Sequence, residues 1–154
     1  MSAALLTAAF LSFGGLLATT WYGLTGAALS RHILFGIFSS MLTLLTHSML
    51  MFYLIGKGKA VREAVEEGGL SGDYARRIAE LRRPVFSLAT FAMVLTIIAA
   101  LLGASVDTGV LPASVHGLAA YVAIAANVAM LRAEVAALLG SARVVAEVDR
   151  LLNV

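Results

Sequence analysis

The sequence predicts an all-α, membrane-embedded four-helix bundle, and three observations predict it. Of the 154 residues, 60% are hydrophobic and 13% charged, with a mean hydropathy of +0.94. A soluble domain sits nearer to about half apolar and about a quarter charged. Formal charge is nearly absent from two long stretches: residues 1–56 carry only Arg31, and residues 84–131 carry only Asp107. A membrane span takes about 20 mostly apolar residues, so each stretch has room for two. Finally, twelve of the twenty charges crowd into residues 57–83, a polar interval between the two pairs of spans.

The first span is predicted over 3–22. No Lys or Arg precedes its apolar run, so it lacks the basic start of a cleaved signal peptide and is expected to be retained. Trp21 and Tyr22 mark its end, as amphipathic rings prefer the membrane–water boundary. A connection with Gly23 and Gly26 leads to the second span, 31–55, with Ser30 as its expected N-cap. Phe52 and Tyr53 mark its far boundary. Residues 56–83 form the charged loop, where Val61, Ala64 and Val65 suggest one short helix. Gly68-Gly69 should break it, and a second should begin at Ser71–Asp73 and run through Tyr74, Ile78 and Leu81. Pro84 is placed in the first turn of the third span, 84–102, where its missing N–H costs nothing. Gly103–Pro112 is read as a turn. The fourth span, 113–139, has Ser114 as its N-cap, and Gly140-Ser141 should interrupt it. A separate amphipathic helix follows over 141–153, with Val144, Val145, Val148, Leu151 and Leu152 on one face, suited to a membrane surface or a partner.

Composition also excludes chemistry. With no cysteine, the chain can form neither disulfides, thiolate metal sites, iron–sulfur clusters nor covalently attached haem. The sequence pI near 9.3 reflects one short basic segment, which in such a protein is a topology signal and not a nucleic-acid site. Gly56-Lys57-Gly58-Lys59 lacks the spacing of a phosphate loop, and no nucleophile elbow or His-Glu-x-x-His motif occurs. Seven Lys or Arg lie between spans two and three, and Arg132, Arg143 and Arg150 follow or close span four. The positive-inside rule then places the loop and both termini in the cytoplasm, the setting of a bacterial inner membrane protein.

All three histidines, His32, His47 and His116, fall in or at the spans, and none lies in the polar loop. Ionisable groups inside a bilayer are expensive, so they are functional candidates. Spans two and four run in the same direction, which puts His32 and His116 at similar depth near the outer side. His47 lies 15 residues beyond His32, about 22 Å deeper and turned by only about 60°. Between them Gly36, Ser39, Ser40, Thr43 and Thr46 leave a small or hydroxylic face. Span four mirrors it with Ala119, Ala120, Ala123 and Asn127 after His116. Such faces let helices pack closely or leave room for a flat cofactor.

In these histidines and their spacing the chain resembles the membrane-embedded b-type cytochromes, whose helical bundles hold haems between imidazoles. The resemblance implies haem b clamped by His32 and His116, with Arg31 neutralising a propionate and Gly36 making room. A complete two-haem set needs four histidines, and this chain has three. For a second haem at His47 the open alternatives are Met130, 14 residues beyond His116, Met93 on span three, a histidine from another subunit, or no inner haem. The function implied is electron transfer, as a subunit or anchor of a larger redox complex.

Two further readings stand beside it. The small-residue face of Gly15, Thr19 and Gly23 suits a redox-inactive scaffold subunit packed against partner helices, or a homo-oligomer. Met41, Met49 and Met51 near His47 suggest copper, but Met49 and Met51 point about 200° apart on one helix and cannot converge. A proton pathway would call for buried carboxylates, and sequence places Glu134 near the cytoplasmic end and Asp107 in the outer turn.

Overall fold

In a computed structural model, which describes residues 2–26 and 28–153, four helices account for nearly all of the chain. They are α1 (Ser2–Thr25), α2 (Leu29–Glu67), α3 (Tyr74–Asp107) and α4 (Ala113–Leu152). Each contains a stretch long and apolar enough to cross a bilayer. Short turns join α1 to α2 and α3 to α4, so the chain is two antiparallel hairpins. Gly26 and Gly109 take positive φ in those turns, 61° and 73°, a conformation that costs glycine little. α2 also packs extensively along α3, whereas α1 and α4 touch over a much shorter length.

The distribution of side chains differs from that of a soluble bundle, with large apolar groups on the outside and small or hydroxylic residues among the buried ones. Phe10, Leu34, Phe38, Met41, Phe52 and Leu118 point outward, each more than half exposed. Inside lie Ser12, Ser39, Thr43, Thr46, Thr96 and Asn127. Bundles in lipid are built this way, because hydrocarbon does not drive large apolar groups inward and small or hydroxylic residues allow close packing. The inner hydroxyls of Ser12, Thr43 and Thr96 return to their own helix, donating to the carbonyls of Ala9, Ser39 and Ala92.

Helix length corrects the sequence expectation at three places. α2 and α4 have 39 and 40 residues, about 60 Å each, twice the hydrocarbon thickness of a bilayer. α2 therefore runs on without a break through Gly56 and Gly58 to Glu67, so of the predicted loop only residues 68–73 are non-helical. α3 begins ten residues before Pro84 and carries the proline in its interior, not in a first turn. Pro84 is exposed, which leaves the Glu80 carbonyl it cannot pair with open to other donors. α4 passes uninterrupted through Gly140-Ser141, so the predicted C-terminal helix is its last turns and not a separate element.

Packing explains this continuity. Val144 and Val148 of α4 form an apolar cluster with Val61 of α2 and Ile78 of α3, and each extension is held by the other two. Across it the Arg77 guanidinium donates to Glu147 at 2.8 Å. At the start of α3 the Arg76 guanidinium pairs with Asp73 and holds that carboxyl below its usual range. The expected caps also differ: α2 starts after Ala28 and α4 after Pro112, neither with a side-chain cap, so Ser30 and Ser114 are already inside their helices.

Candidate functional site

The two hairpins repeat one pattern. Buried Leu5, Ala9 and Ser12 of α1 correspond to buried Val85, Ala89 and Ala92 of α3, each 80 residues later. Ser39, Thr43, Thr46, Leu50 and Leu54 of α2 correspond to Ala123, Asn127, Met130, Glu134 and Leu138 of α4, each 84 residues later and every one buried. The four extra residues are taken up around the second turn. In this register His32 matches His116, Gly23 matches Gly103, and Gly56 matches Gly140.

His32 and His116 sit in equivalent surroundings. The His32 Nδ1–H donates to the Thr19 carbonyl of α1 at 2.9 Å, and the His116 Nδ1–H to the Ala99 carbonyl of α3 at 3.0 Å. Thr19 and Ala99 are themselves equivalent in the repeat. A carbonyl can only accept, so Nδ1 carries the proton in both rings and Nε2 keeps its lone pair. Each ring lies over a glycine. A Cβ at Gly23 would fall 2.9 Å from His32 Cε1, and one at Gly103 would fall 3.1 Å from His116 Cε1.

The hairpins bring these two rings together. Their centroids are 5.8 Å apart with the planes at 72°. Each Nε2, with its lone pair free, is the atom that would hold a metal or haem iron. The donor set also has the form of ligating histidines, which characteristically donate the other ring nitrogen to a carbonyl or carboxylate. Arg31, beside His32, is exposed and belongs to no ion pair among the described residues. Gly36 faces α1: a Cβ there would meet Thr19 Cγ2 at 3.4 Å. It seats α2 against the residue whose carbonyl holds His32.

His47 is placed differently. It is 4% exposed, and its Nε2–H donates to Asn127 Oδ1 at 3.0 Å. Asn127 spends both amide protons on Thr96 Oγ1 and the Ala123 carbonyl, at 3.1 and 2.8 Å, so its oxygen is the acceptor. This network ties α2, α3 and α4 together at one level. The two methionines considered for His47 are otherwise engaged. Met93 accepts from the Ser48 hydroxyl at 3.7 Å, and Met130 is fully buried in the apolar core.

Glu134 differs most from expectation. Sequence places it near the cytoplasmic end, yet it is 0% exposed and, among the described residues, neither of its oxygens has a hydrogen-bond partner. It occupies the buried stripe of α4 between Met130 and Leu138, at the position equivalent to Leu50. Comparing the chain with itself at offsets of 80 and 84 would have found this position, along with Gly23 and Gly103. Among the described residues no cluster of three or more His, Asp or Glu side chains is placed to hold a metal ion. No known family model, curated protein or solved structure matches the chain.

Proposed function

We propose that this is an integral membrane protein that holds one b-type haem between His32 and His116 and serves in electron transfer within a larger redox assembly. The observation that carries the proposal is the pair of equivalent imidazoles, each with Nδ1 fixed on a backbone carbonyl and the rings 5.8 Å apart. When bound, haem supplies a one-electron iron centre. The protein's part is done by named groups. The Thr19 and Ala99 carbonyls orient the imidazoles and raise their basicity. Gly23 and Gly103 let the rings approach α1 and α3 closely. Arg31, exposed beside His32, would neutralise an anionic edge of the cofactor. In this reading the charged end of the bundle, with both termini, lies on the cytoplasmic side of a bacterial inner membrane. The site is then near the opposite surface.

A second reading draws on the same bonds. Each histidine already staples α1 to α2 or α3 to α4 through a carbonyl, which a redox-inactive scaffold subunit would also need.

A dithionite-reduced minus air-oxidised spectrum of protein purified from its native membrane separates the two. The electron-transfer reading expects a b-type band that disappears in both His32→Ala and His116→Ala while the variants keep their helical circular dichroism. A flat spectrum from folded native material refutes it and leaves the scaffold.

A further inference from the structure

A furrow opens on the outside of the bundle where formal charge begins along α2 and ends along α3. Lys57 is the first charge on α2 after Arg31, and Arg83 is the last on α3 before Asp107. At that level Arg82, Arg83, Phe86 and Ser87 of α3 and Ile55 of α2 line a shallow groove of about 600 Å³. Phe86 and Ser87 are shared with a second groove, of about 510 Å³, which continues along α3 past Thr90, Phe91 and Val94. Arg83, Ser87, Thr90 and Val94 recur every three or four residues, so the two grooves form one furrow on a single helix face. From Arg83 to Val94 is about 16 Å, close to one leaflet of a bilayer whose hydrocarbon is about 30 Å thick.

The two ends of the furrow differ in chemistry. At the apolar end Phe91 and Val94 stay exposed. At the basic end the charge is unspent. Glu63 and Glu80, the nearest carboxylates along the two helices, pair with Lys59 at 3.6 Å and with Arg76 at 3.9 Å. Among the described residues neither Arg82 nor Arg83 belongs to an ion pair. Arg82 is half-buried, with Cζ 5.5 Å from the Phe86 ring centroid, within cation–π range. A Cβ on Gly58 of α2 would lie 4.0 Å from its Nη1, so the guanidinium is held between the two helices. The other hairpin does not repeat the pair, since the equivalent positions on α1 are Ser2 and Ala3.

We propose that this furrow binds an anionic phospholipid, with its phosphate on Arg82 and Arg83 and an acyl chain along Phe86, Phe91 and Val94. Guanidinium groups match phosphate oxygens in a bidentate way, and basic residues at the membrane surface favour acidic headgroups. A free phosphate shares the headgroup chemistry but has no chain to fill the apolar end. The site rests on the membrane-spanning reading above and not on the cofactor.

The test titrates the full chain in mild detergent with phosphatidylglycerol and with phosphatidylcholine of the same chains, and native mass spectrometry counts the lipid retained. Wild type is expected to prefer phosphatidylglycerol. Arg83→Gln, at an exposed position, should weaken that lipid about fivefold, and the double variant Arg82→Gln/Arg83→Gln should lose the preference. Arg143→Gln removes an equal charge from an exposed position on α4 and should change nothing. Helical circular dichroism checks each variant. No preference in wild type, an unchanged preference in the folded double variant or in Arg83→Gln, or an equal loss in Arg143→Gln each overturn the site. Displacement of the lipid by excess inorganic phosphate or glycerol phosphate would overturn the lipid assignment in favour of a soluble anion. Equal retention of both lipids leaves the membrane reading standing, whereas a wild type that stays dispersed without detergent and retains neither overturns both.

Discussion

Adding a single methyl group to each of two glycines tests whether the rings sit where the structure places them. A Cβ at Gly23 would lie 2.9 Å from His32 Cε1 and 3.0 Å from Nδ1, whereas one at Gly103 would lie 3.1 and 3.4 Å from the same atoms of His116. Ordinary contact begins at about 3.5 Å, so Gly23→Ala pushes the His32 ring by roughly half an ångström. That movement strains a 2.9 Å bond to Thr19. Losing the bond costs about 0.5–1.5 kcal/mol, and overpacking costs a further 1–3 kcal/mol or so. Alanine in a helix returns about 1 kcal/mol over glycine. The net expectation for Gly23→Ala is therefore a loss of about 0.5–3.5 kcal/mol. Gly103→Ala needs a smaller shift, so its strain and its helix gain nearly cancel, leaving it near wild type. Thermal unfolding in mild detergent, followed by circular dichroism, reads both. A chain of this size should shift by about 2–4 °C per kcal/mol. If Gly23→Ala matched or exceeded Gly103→Ala in stability, the His32 ring would not lie over Gly23 and the geometry of the site would be wrong.

Two other expectations concern parts of the bundle outside the histidine pair. Asn127→Leu leaves the His47 Nε2–H buried without an acceptor and should destabilise by about 1–3 kcal/mol, while adding His47→Leu should recover much of that loss; a double-mutant cycle in denaturant checks the sign. Ile78→Ala opens the small core shared with Val61, Val144 and Val148 and should cost about 2–5 kcal/mol. Hydrogen exchange should rise in residues 57–83 and 141–152, leaving the histidine end protected.

The helices themselves were legible because an apolar run long enough to cross a bilayer is a matter of local composition. The apolar runs around Leu44, Val94 and Val128 could not be read otherwise, and the charges of 57–83 had to lie between them. Helix ends were less legible. Gly56, Gly68-Gly69, Pro84 and Gly140-Ser141 all read as breaks by intrinsic preference, yet only the Gly68–Asp73 interval breaks a helix. At the other three, apolar contacts among Val61, Ile78, Val144 and Val148 hold the helices in register across the weak positions, and a sequence scan does not see that contact.

For the candidate site the division is similar. The similar depth of His32 and His116 follows from counting residues along two parallel helices, so sequence alone could pair them. It could not tell whether their rings meet, because that depends on how the two hairpins are rotated against one another. Nor could it assign the carbonyls of Thr19 and Ala99, which are backbone atoms and leave no trace in residue identity. His47 has the same chemistry as the other two histidines and the same claim to a ligand's role. Only the packing of α4 delivers Asn127 to its Nε2, and only that packing buries Glu134 at the place equivalent to Leu50. Sequence determined how many helices there are and where their charge lies, since hydropathy is summed along the chain. Which polar groups face one another was decided by tertiary structure, because contact between helices depends on rotation and register that no single segment encodes.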